Sequence, residues 1–483
     1  MIRRLAAAAA ALCCLGGSAH AQPAYDADGW VRDLGVVREA VGARYANLQW
    51  AVEEREADLP ARFATAERLL REAENDTEAR RVFERLAEGL GDGHVEFRWP
   101  ARVVQPASGP AASRVARPTP CDSIGVRAIP DRGSLAARMP GWREVAPREA
   151  AFAAGVLPIA GRTVGVVRIP LFMPTSRPEL CQAAMARLSL TSDSACDDNC
   201  RRRLSDALTA LYTEAFADTL RRLRTAGAEV LLVDLTNNGG GSEWAEAAAR
   251  MVTPVRLRSA RLAVIRHPHW REQLRMRLAD LDIALNLMPP SERPPFQRQR
   301  TELLAMQAEI GRPCDTAGVW RGEPLACSPT VSSPLYATGL TDSDDPRWRG
   351  QPWAANLFDP AKIPFTTGVW SGPLVVAVDG NTASAAEQFA ASLQDGRAAT
   401  IIGSPTYGSG CGFVNGGAPT PLPHSGGTLM LPDCARLRAD GSNEVAGITP
   451  DVLVPFRRFQ GVGRRAAVLQ AALPAAVEQA VAR

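Results

Sequence analysis

Lysine is almost missing from this chain of 483 residues: Lys362 is the only one, and arginine supplies nearly all the positive charge. Chemistry that needs a lysine amine, as general base or as Schiff-base former, therefore has one candidate. Histidine is scarce too, with five residues in all, so the choice of a side chain that changes charge near neutral pH is short. Neither phosphate-cradling pattern, G-x-G-x-x-G or G-x-x-x-x-G-K-[ST], occurs, which argues against nucleotide binding of those two kinds. No segment approaches the ~18 consecutive apolar residues that a membrane-spanning helix needs. The formal charge of +3 offers no electrostatic footprint for nucleic acid or an anionic membrane.

What is present begins with an export signal. Arg3 and Arg4 precede the apolar run Leu5 to Leu15, and Ala19-His20-Ala21 forms an A-x-A cleavage site. Residues 1–21 therefore read as a signal peptide, and the mature chain as exported, periplasmic or extracellular, with no integral membrane segment. Its removal takes the formal charge from +3 to +1. Eight cysteines remain, an even number that suits disulfides in an oxidising compartment, although eight allow 105 pairings. Pairing neighbours in sequence gives 121–181, 196–200, 314–327 and 411–434.

Residues 22–98 read as a helical subdomain. Val82, Leu86 and Leu90 recur at helical spacing, Asn75 and Asp76 offer a cap, and Gly91 and Gly93 end the run. Residues 99–159, rich in Pro, Ala and Arg, read as an irregular connection of strands and loops. From 160 to 255 strand and helix alternate: "GRTVGVVRIPLF", a long helix ended by Gly227, then the buried strand "AEVLLVDL". Residues 256–370 read as a partly helical insertion or lid. The alternation resumes over 371–483 with "GPLVVAVDG" and closes on a C-terminal helix. This pattern predicts an α/β fold with a largely parallel sheet.

Four stretches carry candidate chemistry. In "VVAVDGNTASAAEQFAASLQD" a buried strand turns into a helix at Ser384. Ser384-Ala-Ala-Glu387 is first of all a capping box. A strand–turn–helix junction also exposes a hydroxyl where free N–H groups and the helix dipole favour an oxyanion. "VLLVDLTNNGGGSEW" repeats that geometry, with Gly239, Gly240 and Gly241 letting backbone N–H groups approach a ligand. In "LGDGHVEF", His94 follows a glycine turn; a lone histidine is more often structural than catalytic. In "SNEVAGITPDVLV", Glu444 precedes a turn and taken alone is a surface carboxylate. His267 and His269 make an H-x-H pair without a Cys or acidic neighbour, weak as a metal site. His424 sits in a hairpin turn. Ser409 and Cys411 are rival nucleophiles in "YGSGCGF", which lacks the first glycine of G-x-S-x-G.

Together these stretches resemble the C-terminal-processing and tricorn-like serine peptidases, through "DLTNNGGG", "TASAAEQFAASLQDGRAATIIGSPTYGSG", "GITPDV" and "GDGH". The resemblance implies a crotonase-like ββα superhelix core, no cofactor and no metal, and a peptide or unfolded protein as substrate. One branch of that family uses a lysine base within a Y/F-G-K-G motif; here the position is Ser409, which excludes it. The other uses a histidine supported by a glutamate, and His94 and Glu444 match those positions. The roles implied are Ser384 as nucleophile, His94 as general base and Glu444 as the group orienting it, directly or through an intermediary. Ala385 with Gly240 or Gly241 would donate to the oxyanion. That branch can place a serine before the histidine, where this chain has Gly93. Family members often carry a PDZ domain, for which the stretch between His94 and Gly161 is too short. A non-catalytic binding protein and an esterase are the rival readings on the same scaffold.

Overall fold

The computed structural model describes residues 25–101, 118–147, 150–457 and 459–483. The expected signal peptide lies outside the described residues. Three helices open the fold: α1 (Ala27–Arg44), α2 (Leu59–Glu72) and α3 (Asp76–Leu90). Each starts where a short polar side chain accepts a first-turn N–H: Asp26 from Gly29, Asp58 from Ala61, Asn75 from Glu78. Helix α3 stops at Gly91, whose φ of 70° is the left-handed C-cap that glycine adopts without strain. Their apolar faces share one core, in which Trp30, Phe83 and Leu86 are buried.

A seven-stranded sheet forms the centre. Its strands are β1 (Arg143–Ala146), β2 (Ala154–Ile159), β3 (Arg162–Arg168), β4 (Val230–Asp234), β5 (Leu374–Val378), β6 (Thr400–Gly403) and β7 (Val452–Leu453), side by side in chain order. The first three are antiparallel and the rest run parallel from β3 onward. The sheet is therefore mixed, and β1 and β2 come from the stretch expected to be an irregular connection. Strands β4 and β5 are buried along their whole length, as apolar runs covered on both faces must be. Helices α4 (Asp198–Thr225), α5 (Trp244–Met251) and, beyond α6 (His269–Leu287) and α7 (Arg293–Ile310), α8 (Ala385–Asp395) pack on one face. The C-terminal α9 (Val462–Ala482) covers the other through Leu469, Leu473 and Val477. Trp244, at the start of α5, lies among Phe152, Tyr212 and Phe216. Each such buried side chain contributes about 1.5–3 kcal/mol, which anchors the helix that follows the glycine turn.

Two small sheets tie distant parts of the chain to this core. Strand 96–98, just after His94, pairs with 428–430, with Phe97 opposite Leu429. Strand 261–265 lies between 330–336 and 434–437. Cysteines bridge as 121–181, 196–200, 314–327 and 411–434, the sequence-local pattern. Among the described residues no helix is long and apolar enough to cross a membrane.

Candidate active site

Two strand–turn–helix units stand side by side, because β4 and β5 are parallel neighbours. Their turns are bonded to each other. Asp379 Oδ1 accepts the N–H of Asn237, Thr382 Oγ1 donates to the Leu235 carbonyl, and Ala383 N–H donates to the Asn238 carbonyl. Clamped this way, the second turn delivers Ser384 at φ 55°, ψ −118°, a region that residues with a side chain rarely adopt. Such strain persists only where the surroundings over-determine the backbone, and it marks functional sites. The Ser384 N–H donates to Glu387 Oε2 at 2.8 Å, the return half of the expected capping box. The Ser384 hydroxyl faces His94, with Nε2 3.1 Å from Oγ.

His94 reaches that position through its loop. Asp92 is buried, accepts the His94 N–H at 3.0 Å, and is held by Tyr45 and Asn47. Burial pushes its carboxyl up to about 6. The Gly93 N–H donates to the Gly408 carbonyl, and a Cβ on Gly93 would lie 2.3 Å from both Ser409 Oγ and the Tyr407 ring. A serine at position 93 thus has no room, because Ser409 and Tyr407 already occupy that space. The imidazole lies edge-on to Phe413. Its Nδ1 is buried without a hydrogen-bond partner of good geometry, the Ser409 backbone being the polar group that acts on the ring. Burial first, then the Arg436 charge, push His94 down to about 4, so the ring is neutral and able to accept a proton at physiological pH.

Glu444 is buried, and its carboxylate pairs with Arg436: Nε to Oε2 at 2.8 Å and Nη2 to Oε1 at 2.5 Å. It therefore stands next to the Ser384 segment, linked through Arg436. Sequence reasoning missed Arg436, because a single arginine in an alternating strand carries no mark of burial. Glu387 is likewise buried; four donors converge on it, from Ser384, Thr406, Gly408 and Ser409. Burial pushes it up to about 7, against the pull of those donors and with a further push from Glu444.

His94, Ser384, Ala385, Gly241 and Arg436 all line one cavity of about 920 Å³. Its far wall comes from the 256–370 stretch, with Leu262, Trp270, Met276 and Ile363. Of the glycines offered as oxyanion donors, Gly240 spends its N–H on Asn238 Oδ1 at 2.9 Å. Gly241, next along the chain, lies at the cavity wall. Lys362 reaches the same cavity but is paired with Asp359 at 3.0 Å. Cys411 is consumed in its disulfide. His269 bonds Asp433, and His424 sits against Trp30, itself part of the fold's first core. Among the described residues no group of three metal-ligating side chains gathers.

A strained serine at a helix N-terminus, with an unprotonated imidazole on its hydroxyl and backbone N–H groups beside it, defines the serine-hydrolase class. Residues 164–454, more than half of the chain, match the model of peptidase family S41; the chain belongs to that family of serine-type peptidases. A carboxy-terminal-processing protease of Bartonella bacilliformis is 37% identical over 84 residues, a match spanning 17% of this chain and 18% of that relative's length. Among solved structures, mature CPAF superposes with a TM-score of 0.57 at 16% identity, covering 94% of this chain and 97% of that one. Its complex with lactacystin gives the same score, covering 94% and 98%. At these identities the likeness speaks to the fold.

Proposed function

We propose that the protein is an exported serine endopeptidase that works through an acyl-enzyme on Ser384. The observation carrying this reading is the 3.1 Å contact between Ser384 Oγ and His94 Nε2, residues 290 positions apart. Ser384 Oγ attacks the scissile carbonyl while His94 Nε2 takes its proton. The N–H groups of Gly241 and Ala385 receive the oxyanion. His94 then passes the proton to the leaving amine, and water, activated the same way, releases the acid. Glu444 takes part through an intermediary, Arg436. A fluorophosphonate probe should form an adduct mapped by mass spectrometry to the peptide containing Ser384. No adduct on folded protein would overturn the reading, and matched peptide and ester substrates would separate a peptidase from an esterase.

The oxyanion donors give a second test. Gly241 has φ 139°, and a Cβ there would lie 2.3 Å from the Phe172 carbonyl oxygen. Gly241→Ala must displace that N–H, so kcat/KM should fall by about 10²–10³-fold, as when one oxyanion donor is lost. Unchanged kinetics would remove Gly241 from the hole.

The rest of the reading follows from the chain's organisation. The leader and the bridged cysteines support export to the periplasm or beyond. The paired strand–turn–helix units support a crotonase-like core, split as 160–255 and 371–483. The 256–370 stretch, which walls the cavity, serves as a lid restricting access to small or unfolded chains.

A further inference from the structure

We infer that Arg436 is a positioning residue for this reaction, aiming the Ala385 N–H by gripping the Ser384 carbonyl, and that Glu444 acts on Arg436 rather than on His94. This rests on the reading of Ser384 and His94 given above and extends it.

A trans peptide unit is rigid and planar, with C=O and N–H pointing in opposite directions. The Ser384 carbonyl and the Ala385 N–H belong to one such unit. Whatever holds that carbonyl also aims that N–H, the oxyanion donor next to the nucleophile. Two groups hold it: the Gln388 N–H at 3.0 Å, within the first turn of α8, and Arg436 Nη2 at 3.3 Å. The same Nη2 reaches the Gly410 carbonyl at 3.0 Å, so one guanidinium ties the nucleophile segment to the loop that passes beside His94. Nη1 donates to Gln388 Oε1 at 2.8 Å, and Gln388 Nε2 donates to Glu246 Oε1 at 2.6 Å, carrying the grip across to α5.

Arg436 is fixed in turn from three sides. Its strand pairs with 261–265, Arg436 standing opposite Leu262. Cys434, two residues earlier, is bridged to Cys411. Glu444, with a fully buried side chain, closes the fork with two bonds. The carboxylate supplies the counter-charge without which a guanidinium in this position would be an unpaired buried cation. The 256–370 stretch thus does more than wall the cavity, since its strand props the strand that carries Arg436. The charged groups around His94 are Asp92 on its own loop, Glu387 on α8, and Arg436 and Glu444 on the segments that pack against it. Of these, Arg436 is the one that disfavours the imidazolium.

The test is a double-variant cycle on the full chain, with Arg436→Met, Glu444→Gln and both together, plus Arg436→Lys. Turnover of a peptide cleaved by the wild type is split into kcat and KM, and the His94 ring is titrated by NMR. Arg436→Met should lower kcat about 100-fold, the cost of a small misplacement of reacting groups, with KM changed less than about threefold. Arg436→Lys should not rescue it, because an ammonium cannot span two carbonyls and a carboxylate as the planar fork does. The double variant should be no slower than Arg436→Met alone, since Glu444 has no further role once Arg436 is gone. It also removes both charges, and so serves if the single variant leaves Glu444 unpaired and fails to fold. His94 should titrate higher in Arg436→Met than in wild type. Multiplying effects in the double variant, full rescue by lysine, or an unmoved His94 titration would each overturn the proposal. A wild type silent toward peptide and fluorophosphonate would sink the peptidase reading instead, leaving the NMR titration to decide the arginine's link to His94.

Discussion

Ser384→Ala and Ser384→Gly should both reduce turnover by about 10⁴–10⁶-fold, yet differ in stability, with the glycine variant the more stable. The loss of turnover follows from removing the attacking oxygen; what remains is the effect of binding and the oxyanion donors. The difference in stability follows from the backbone. At φ 55°, ψ −118° an alanine keeps the strain that the native serine bears, of order 1–3 kcal/mol, and glycine releases most of it. Glycine's greater freedom in the unfolded chain takes back about 0.5–1 kcal/mol. The net expectation is about 1 kcal/mol in favour of Ser384→Gly, read from urea midpoints at constant slope. An alanine variant as stable as the glycine variant would show that the turn is not held in this conformation, and would remove strain from the account of the nucleophile.

His94→Ala should be as severe for turnover and mild for folding. In the proposed reaction base and nucleophile act as a unit, so losing either costs nearly all of the chemistry. The ring lines the cavity and leaves Nδ1 buried without a partner, so its removal forfeits little packing and relieves an unsatisfied polar atom. The pH dependence separates the two effects. His94 is held at about 4 when folded, against 6.5 for the free side chain. As pH falls from about 6.5 toward 4, the unfolded chain takes up this proton and the folded chain does not, so the folded state loses stability across that window. The His94→Ala variant lacks this loss. Its stability relative to wild type should be highest near pH 4 and decline as pH rises to 6.5. Asp92 and Glu387, both pushed up by burial, act in the opposite sense but equally in the two proteins, so they cancel in the comparison. For wild-type catalysis the acid limb of kcat/KM should lie near pH 4. A limb near 6.5, or a stability difference that is flat with pH, would contradict the buried neutral imidazole.

Much of this site was legible in the sequence because its parts are local. Ser384 and Glu387 announce a helix start within four residues, the glycines after Asp234 announce a tight turn beside a buried strand, and a single lysine outside any suitable motif removes the alternative base. The disulfides were legible because each joins cysteines that are consecutive along the chain, three of them 4 to 23 residues apart and Cys121–Cys181 60 apart. Two things were not. The strands β1 and β2 lie in a Pro- and Arg-rich stretch whose periodicity is weak, and they became strands by pairing with β3, a tertiary gain that outweighs local propensity. Arg436 carries no local signal, because its burial beside a carboxylate eight residues away, a state Arg168 and Arg250 share with other partners, is set by tertiary packing.

The sequence by itself determined which residue types were available for the chemistry: a serine at a strand–turn–helix junction, few histidines, and no usable lysine. Only the tertiary structure decided how they meet. The pairing of strand 96–98 with 428–430 brings His94 across 290 residues to Ser384. The side-by-side packing of β4 and β5 sets the Gly240 turn against Ser384 and Ala385, while Asn238 of the same turn takes the Gly240 N–H. Burial then keeps His94 neutral and obliges Glu444 to pair with Arg436, because a low-dielectric interior leaves no charge unpaired at small cost.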